Sequence, residues 1–323
     1  MRSFKHHNAY SVDEALTLLQ DHEGKANLIA GGTDLLGILK GDILPDYPEA
    51  LINIKTIPGL DEITEDDEGL KIGALTKLAH IVRVPAVRKT YSLLKEAAES
   101  VGTLEIRNMG TIGGNLCQDT RCWYYRYPHQ MGGRILCYRK TKGPCLAVKG
   151  DNRYHAIMGG EKCFTVCPSD IATALAAMGA RVKVAGPHGG RLITVTDFFT
   201  PLGNALKQNE MVTEIEVPRP EGATKQTFLK FTLRRPVDFA VVSVASVITL
   251  QGGVCTDARI AIGAVAPAPV RAKQAEEFIK GRPIDQAAAA EAAELAVAGA
   301  KPLSMNAYKI EITKVLIARA LLS

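Results

Sequence analysis

Residues 111–122 read TIGGNLCQDTRC, a glycine-rich turn that runs directly into two cysteines. Glycines beside cysteines fit three arrangements: a disulfide corner, a zinc loop, or two cofactor sites side by side. Residues 30–36, AGGTDLL, again join Gly-Gly to a small hydroxyl residue. Glycine lets a backbone approach a ligand closely, and consecutive amide N–H groups can cradle a pyrophosphate. Neither stretch is the G-x-G-x-x-G of a Rossmann turn, and the chain holds no G-x-x-x-x-G-K-[ST] loop. Singly, each reads as an ordinary tight turn. As a pair they point to a nucleotide site of another architecture.

A chain of 323 residues is long enough for two or three domains. With 46% hydrophobic and 23% charged residues it can bury real cores, which excludes disorder as the default. No uncharged apolar run reaches the 18 or so residues of a membrane span. The opening MRSFKHHNAYSVDEALTLL lacks the apolar core and small-residue cleavage site of a secretory signal, so a cytoplasmic location is expected.

Six of the seven cysteines, Cys117, Cys122, Cys137, Cys145, Cys163 and Cys167, fall within 51 residues. In a reducing compartment such a cluster points to metal binding or catalysis rather than disulfides. Cys255 stands alone in an apolar run and reads as a small core residue. From Cys117 to Cys167 there are nine Lys or Arg against three Asp or Glu, a balance of +6 in a chain whose net charge is +5. The same window holds Trp123 and five of the nine tyrosines. It reads as an insertion into an otherwise ordinary fold. A basic, aromatic loop also has the look of a nucleic-acid patch, but no nucleic-acid motif accompanies it.

Along the chain, Ser11 with Glu14 fits a capping box ahead of a helix faced by Ala15, Leu16, Leu18 and Leu19. Residues 27–30 read as a short buried strand, GGTDLLGILK as a turn feeding a helix, and LINIK (51–55) as the next strand. A second region opens near Ile57-Pro58-Gly59, with a strand over 70–74, a helix capped by Thr76 and a longer helix over 92–100. After the cysteine window, residues 169–195 return to helix, strand, Gly-rich hairpin turn and strand, and 214–217 close the region. The third region reads as α+β. Its three strands lie at 227–234, 240–250 and 259–265, and its helices at 286–300 and 306–322.

AGGTDLL, then TIGGNL, then the Ser169-Asp170 pair opening a helix, resemble in order the FAD-binding subunit of the xanthine dehydrogenase family of molybdenum hydroxylases. FLKFTLRRPVDFAVVSVA (228–245) is similar to the start of that family's C-terminal flavoprotein domain, so the resemblance spans essentially the whole chain. It implies an α+β chain. Two α/β FAD-binding subdomains of the PCMH/vanillyl-alcohol-oxidase type, not Rossmann, occupy 1–56 and 57–218. A C-terminal α+β domain with a three-stranded antiparallel sheet and helices occupies 219–323. The resemblance further implies FAD held by Ile29, Ala30, Gly31, Gly32, Thr33, Asp34 and Leu35 in the first turn. Thr111, Gly113, Gly114 and Asn115 would line the second, and Asp170 and Lys230 would face the cofactor. By themselves Asp170 reads as a first-turn helix carboxylate and Lys230 as the solvent side of a strand. One departure is plain: ordinary members pass from the GGN turn to the SD pair by a short connection, whereas here more than fifty residues intervene.

Those residues give C-x4-C-x14-C-x7-C-x17-C-x3-C, neither the compact ferredoxin run nor the paired knuckles of structural zinc. On spacing alone an iron–sulfur cluster, a zinc site and incidental thiols all stay open. An insertion at this place resembles that of the 4-hydroxybenzoyl-CoA reductase β subunit and of related aldehyde oxidoreductase subunits, where it carries a [4Fe–4S] cluster. The matching pattern, after TRC, selects Cys122, Cys137, Cys145 and Cys163. It leaves Cys117 without a ligand role, Cys167 as the main rival for the fourth position and His155 as a weaker one. The resemblance implies a flavin and iron–sulfur relay in a three-subunit enzyme. One partner would carry molybdopterin and substrate, another two [2Fe–2S] clusters, and the whole would be a dimer of heterotrimers. The reading expected is a 4-hydroxybenzoyl-CoA reductase that removes an aryl hydroxyl with electrons from ferredoxin docked on the basic insertion, Arg126 and Arg139 included. The alternative is an aldehyde or N-heterocycle hydroxylase with electrons flowing outward. A zinc-holding assembly scaffold is the reading from another class.

Overall fold

The computed structural model describes every residue except Thr141, Arg235 and Pro236; the last two belong to the quoted LRRPVDF stretch and lie outside the described residues. Ser11 caps the Val12–Asp21 helix, its Oγ accepting from Glu14 N at 3.1 Å, while Glu14 Oε2 reaches back to Tyr10 N at 2.7 Å. The helix covers a three-stranded parallel sheet in the order Lys5–Asn8, Ala50–Asn53, Ala26–Ile29. Ala50–Asn53 is central, and all four of its residues are buried, as a strand covered on both faces requires. The edge strand ends at Ile29, one residue earlier than expected, because Ala30 already belongs to the glycine turn.

A five-stranded antiparallel sheet follows, in the order Ile63–Glu65, Gly69–Gly73, Met211–Pro218, Arg181–Gly186, Gly189–Thr194. Its middle strand comes from far along the chain, after the cysteine window. The Ser92–Glu99 and Asp170–Met178 helices form a core with this sheet, and every residue of Asp170–Met178 is buried. Thr76 does not cap a helix. It is fully buried, and Lys77 holds the N-cap position of Leu78–Ile81. Lys77 stays extended because it bridges to Thr111, and Thr76 O accepts from Ile112 N at 2.9 Å. A long-range pairing overrides the local capping signal.

The third sheet runs Thr224–Phe231, Val242–Gln251, Val254–Gly263, Val270–Arg271, all antiparallel. The three expected strands are present, and a two-residue strand is added at the edge. The Lys273–Ile279, Gln286–Val297 and Tyr308–Leu322 helices share a core with this sheet, and Cys255 is fully buried in it. Among the described residues no helix is long and apolar enough to cross a membrane.

Between Gln118 and Ser169 the chain holds no strand or α-helix among the described residues, only 3-10 turns at His129–Met131, Tyr138–Lys140 and Leu146–Val148. This segment is tied to the folds on either side. Arg134 reaches Asp42 Oδ1 at 2.9 Å and Pro45 O at 3.1 Å, and His129 N donates to Gly41 O. At the other end Ile157 N and Cys167 N donate to Val265 O and Ala266 O, and Asn306 Nδ2 donates to His155 O. The segment is a strap from the first sheet to the third.

Lys309 holds that strap with a fully buried ammonium, donating to His155 O at 3.0 Å and Ala264 O at 2.6 Å. Burial pulls its pKa from 10.5 down to about 7. Between about pH 7 and 10.5 the unfolded chain therefore binds a proton that the folded chain does not, so this group makes stability rise with pH across that window. Lys309→Met removes that contribution, and its denaturant-derived stability relative to wild type falls from pH 7.5 to 9.5 by up to about 1.4 kcal/mol per pH unit.

Candidate cofactor sites

The two glycine stretches lie against each other. A Cβ on Gly31 would sit 2.1 Å from Met109 O, so only glycine permits this contact. Gly32 follows at φ +70°, turning the chain into the Leu35–Lys40 helix. TIGGN is not a free turn but the start of the Ile112–Cys117 helix: Thr111 Oγ1 accepts from Gly114 N at 3.1 Å, and Gly113 N donates to Ala74 O at 2.9 Å. Two cavities open on this junction. The larger, about 550 Å³, is lined by Ile29, Ala30, Gly31, Gly32, Thr33, Asp34 and Leu35, and by Thr111, Gly113 and Gly114. The second, about 320 Å³, is lined by Asn115, Asp170 and Lys230. Thr33, Asp34, Thr111 and Gly114 line both. All thirteen residues expected to hold FAD thus border one of two adjoining cavities.

Asp170 and Lys230, sixty positions apart, meet. Lys230 Nζ lies 2.7 Å from Asp170 Oδ2 and also donates to Ser100 O at 2.8 Å, with both side chains nearly buried. Burial pushes the Asp170 pKa up, opposed by the Lys230 charge and its hydrogen bond. The helix cap is Ser169, whose Oγ accepts from Ala172 N at 2.9 Å and donates to Asn115 Oδ1 at 2.6 Å. Asp34 is occupied by the strap: Arg121 and Arg126 each reach its Oδ1 at 2.7 Å, and Asp119 N donates to Oδ2 at 2.8 Å. Arg126 and Arg139, expected to face a docking partner, are turned inward onto Asp34 and Asp119.

Cys122, Cys137, Cys145 and Cys163 line one small cavity together with Tyr124, Tyr125, Tyr138, Arg139, Lys162 and Thr165. Cys167 and Cys117 line the large cavity at the glycine junction instead. His155 Nε2 stands 3.3 Å from Cys122 Sγ, and burial lowers its pKa to about 4, leaving the ring neutral. Burial pushes the Cys122 thiol up to about 11. For Cys163, burial again raises the pKa, opposed by the Thr165 backbone and the Arg139 guanidinium.

Residues 2–220 match the family of the FAD binding domain in molybdopterin dehydrogenase, and residues 227–323 match the CO dehydrogenase flavoprotein C-terminal domain. The chain belongs to the FAD-binding medium subunits of the molybdenum hydroxylase and CO dehydrogenase family. It is 33% identical to the aldehyde oxidoreductase FAD-binding subunit PaoB of Escherichia coli, over 97% of this chain and 96% of that one. It is 26% identical to the carbon monoxide dehydrogenase medium chain of Afipia carboxidovorans, over 98% and 95%. Among solved structures, Hydrogenophaga pseudoflava carbon monoxide dehydrogenase superposes with a TM-score of 0.80 at 28% identity, over 99% of this chain and 96% of that one. The chain is an oxidoreductase subunit.

For this medium subunit the FAD fit rests on the cradle itself, in which a side chain at Gly31 would collide with backbone. The four-thiol cavity has a matching donor set, with no carboxylate or histidine among its lining residues. Among the described residues no three His, Cys, Asp or Glu side chains converge on a single metal ion, which would need thiolates about 2.3 Å from one point. The free space between the thiols is about 20 Å³, near that of one water. The negative charge of a cubane would suit the surroundings: among the described residues Arg139 Nε, Lys140 Nζ and Thr165 Oγ1 are buried there without hydrogen-bond partners.

Sequence reasoning assigned no cofactor role to Cys117, Arg121 or Phe239. Cys117 follows Gly114 by one helical turn and so shares its face, a signal that was available. Arg121 lies 4.7 Å from the Phe239 ring beside the second cavity, a contact between distant segments that leaves no local trace. Asp170→Asn leaves the Lys230 ammonium buried without its counter-charge, costing on the order of 3–5 kcal/mol. The melting temperature and FAD retention of the variant are expected to drop, and Asp170→Asn combined with Lys230→Met recovers part of the loss.

Proposed function

We propose that the chain is the flavin and iron–sulfur relay of a cytoplasmic three-subunit molybdenum enzyme that oxidises an aldehyde or an N-heterocycle and sends the electrons outward. The observation that carries the relay is the convergence of Cys122, Cys137, Cys145 and Cys163 on a cavity beside the glycine junction. The oxidative direction is favoured by the similarity to PaoB, an aldehyde oxidoreductase subunit. Reductive dehydroxylation by a 4-hydroxybenzoyl-CoA reductase is the second reading, with the resemblance of the cysteine-bearing insertion, shared with aldehyde oxidoreductase subunits, as its support.

In this proposal segments 1–56, 57–218 and 219–323 act as three units, with FAD between the first two and the third closing over it through Lys230. The backbone at Gly31, Gly32, Gly113 and Gly114 positions the pyrophosphate, and the Asp170–Lys230 pair fixes the wall opposite. Cys122, Cys137, Cys145 and Cys163 hold a [4Fe–4S] cluster, with Arg139 and Lys140 offsetting its charge. Bound FAD supplies two-electron storage released one electron at a time, and the cluster one-electron steps. Molybdopterin and the substrate pocket lie on a large partner subunit, and two [2Fe–2S] clusters on a small one, in a dimer of heterotrimers.

The external acceptor is a small acidic protein of the ferredoxin kind. Leu136, Tyr138, Leu146 and Val148 are exposed on the insertion, and Tyr138 and Leu146 also line the four-thiol cavity. Lys142, Lys149 and Lys162 are exposed in the same segment, which gives an apolar patch with basic side chains above the thiols.

In the purified complex, Cys163→Ser lowers iron by about four atoms per heterotrimer, the content of one cubane, whereas Cys167→Ser keeps it; zinc in place of that iron would overturn the relay. Lys142→Glu with Lys149→Glu slows ferredoxin-coupled aldehyde oxidation several-fold and flattens its salt dependence, with turnover on a small uncharged acceptor unchanged. Aryl-CoA dehydroxylation without aldehyde or heterocycle oxidation would decide for the second reading.

A further inference from the structure

Three side chains separate the large cavity from the four-thiol cavity: Thr120, Tyr125 and Arg139 line both. Tyr125 is buried and its hydroxyl donates to Asp119. Two cations are set over its ring, Arg139 at 5.8 Å and Lys140 at 5.2 Å. Arg139 Nη1 pairs with Asp119 Oδ1 at 2.9 Å, while its buried Nε has no partner among the described residues. Lys140 is 1% exposed, and its Nζ has no partner among the described residues. Burial lowers its pKa from the usual lysine value, opposed by the nearby Cys137 thiol.

The anions nearby are already engaged. Asp119 Oδ1 accepts from Thr120 N as well as Arg139, and Oδ2 from Tyr125. Asp34 is held by Arg121 and Arg126. Four cations therefore face two carboxylates, and the surplus is concentrated in a water-poor wall. A buried cation left uncompensated is costly, so the arrangement is one that anionic occupants on either side would stabilise.

We propose that Arg139 and Lys140 are the charge-setting residues of this wall. Arg139, which borders both cavities, raises the reduction potentials of flavin and cluster together; Lys140, on the thiol side, raises that of the cluster alone. The inference rests on the relay reading above. Reduction adds negative charge to either cofactor, and a fixed cation in a low-dielectric wall stabilises the reduced form.

The test uses the holoenzyme complex of wild type, Arg139→Gln, Arg139→Lys, Lys140→Met and Lys140→Arg, with FAD and iron contents measured first. Cluster and flavin midpoints are then read by potentiometric titration, followed by electron paramagnetic resonance and visible absorbance. Arg139→Gln shifts both midpoints to more negative values, so that at a fixed applied potential each reduced-to-oxidised ratio falls about tenfold. Lys140→Met shifts the cluster alone. Arg139→Lys and Lys140→Arg, which keep the charge, restore the wild-type midpoints. Fully loaded Arg139→Gln and Lys140→Met complexes with unchanged midpoints would overturn the proposal, because a purely packing role does not move a potential. Should Arg139→Gln lose its cofactors, a loaded Lys140→Met complex with an unshifted cluster midpoint overturns it equally. Absence of the cubane iron from wild type sinks the relay reading instead, and the flavin midpoint of Arg139→Gln then judges the Arg139 half by itself.

Discussion

The contact of Gly31 with the Met109 carbonyl, made without any side chain, is the constraint on which the rest of the molecule is arranged. It sets the turn after the first sheet against the turn before the Ile112–Cys117 helix. Both glycine stretches border the large cavity, and Thr33, Asp34, Thr111 and Gly114 border the second as well. The Gly31 contact also fixes Thr111, which bridges to Lys77 and keeps Thr76 from capping the next helix. The first two sheets also share a core, in which Leu75 and Met211 are buried with Ala26, Ala50 and Ile52.

The cysteine-bearing strap exploits that junction. Among the described residues it holds no strand or α-helix, and besides its own turns it bonds to both neighbours, from Gly41 O on one side to Val265 O and Ala266 O on the other. Arg121 and Arg126 close onto Asp34, a residue of the first glycine turn, while Arg139 pairs with Asp119, so the glycine junction and the four-thiol cavity are linked by neighbouring ion pairs. The cysteines that line the large cavity, Cys117 and Cys167, flank the strap's two ends. The four that meet in the small cavity lie between them. Position along the strap sorts the thiols by cavity.

Much of this was legible in the residues. The capping box at Ser11, the buried strands and the third sheet's three long strands follow from local periodicity and hydrogen-bonding chemistry. The paired Gly-Gly stretches marked two segments that the structure brings to the same cavity. Elements such as Lys5–Asn8 and Val270–Arg271 escaped, since strands of four and two residues carry too little pattern and exist only through their partners. Asp170 and Lys230 read alone as a first-turn carboxylate and a solvent-facing base. Their pairing at 2.7 Å appears only when the third sheet folds against the Asp170–Met178 helix.

By itself the sequence determined the element types, the two glycine stretches, the concentration of thiols and positive charge in one segment, and the family likeness that these carry. Each is a property of residues close together in the chain. The tertiary structure alone decided which four thiols share a cavity and that Arg126 and Arg139 point inward. It also decided that Tyr125 stands between the two cavities with the Arg139 and Lys140 cations over its ring. The physical reason is the strap: with no repeating backbone pattern of its own, it takes its path from the carbonyls and carboxylates that the two neighbouring units offer it.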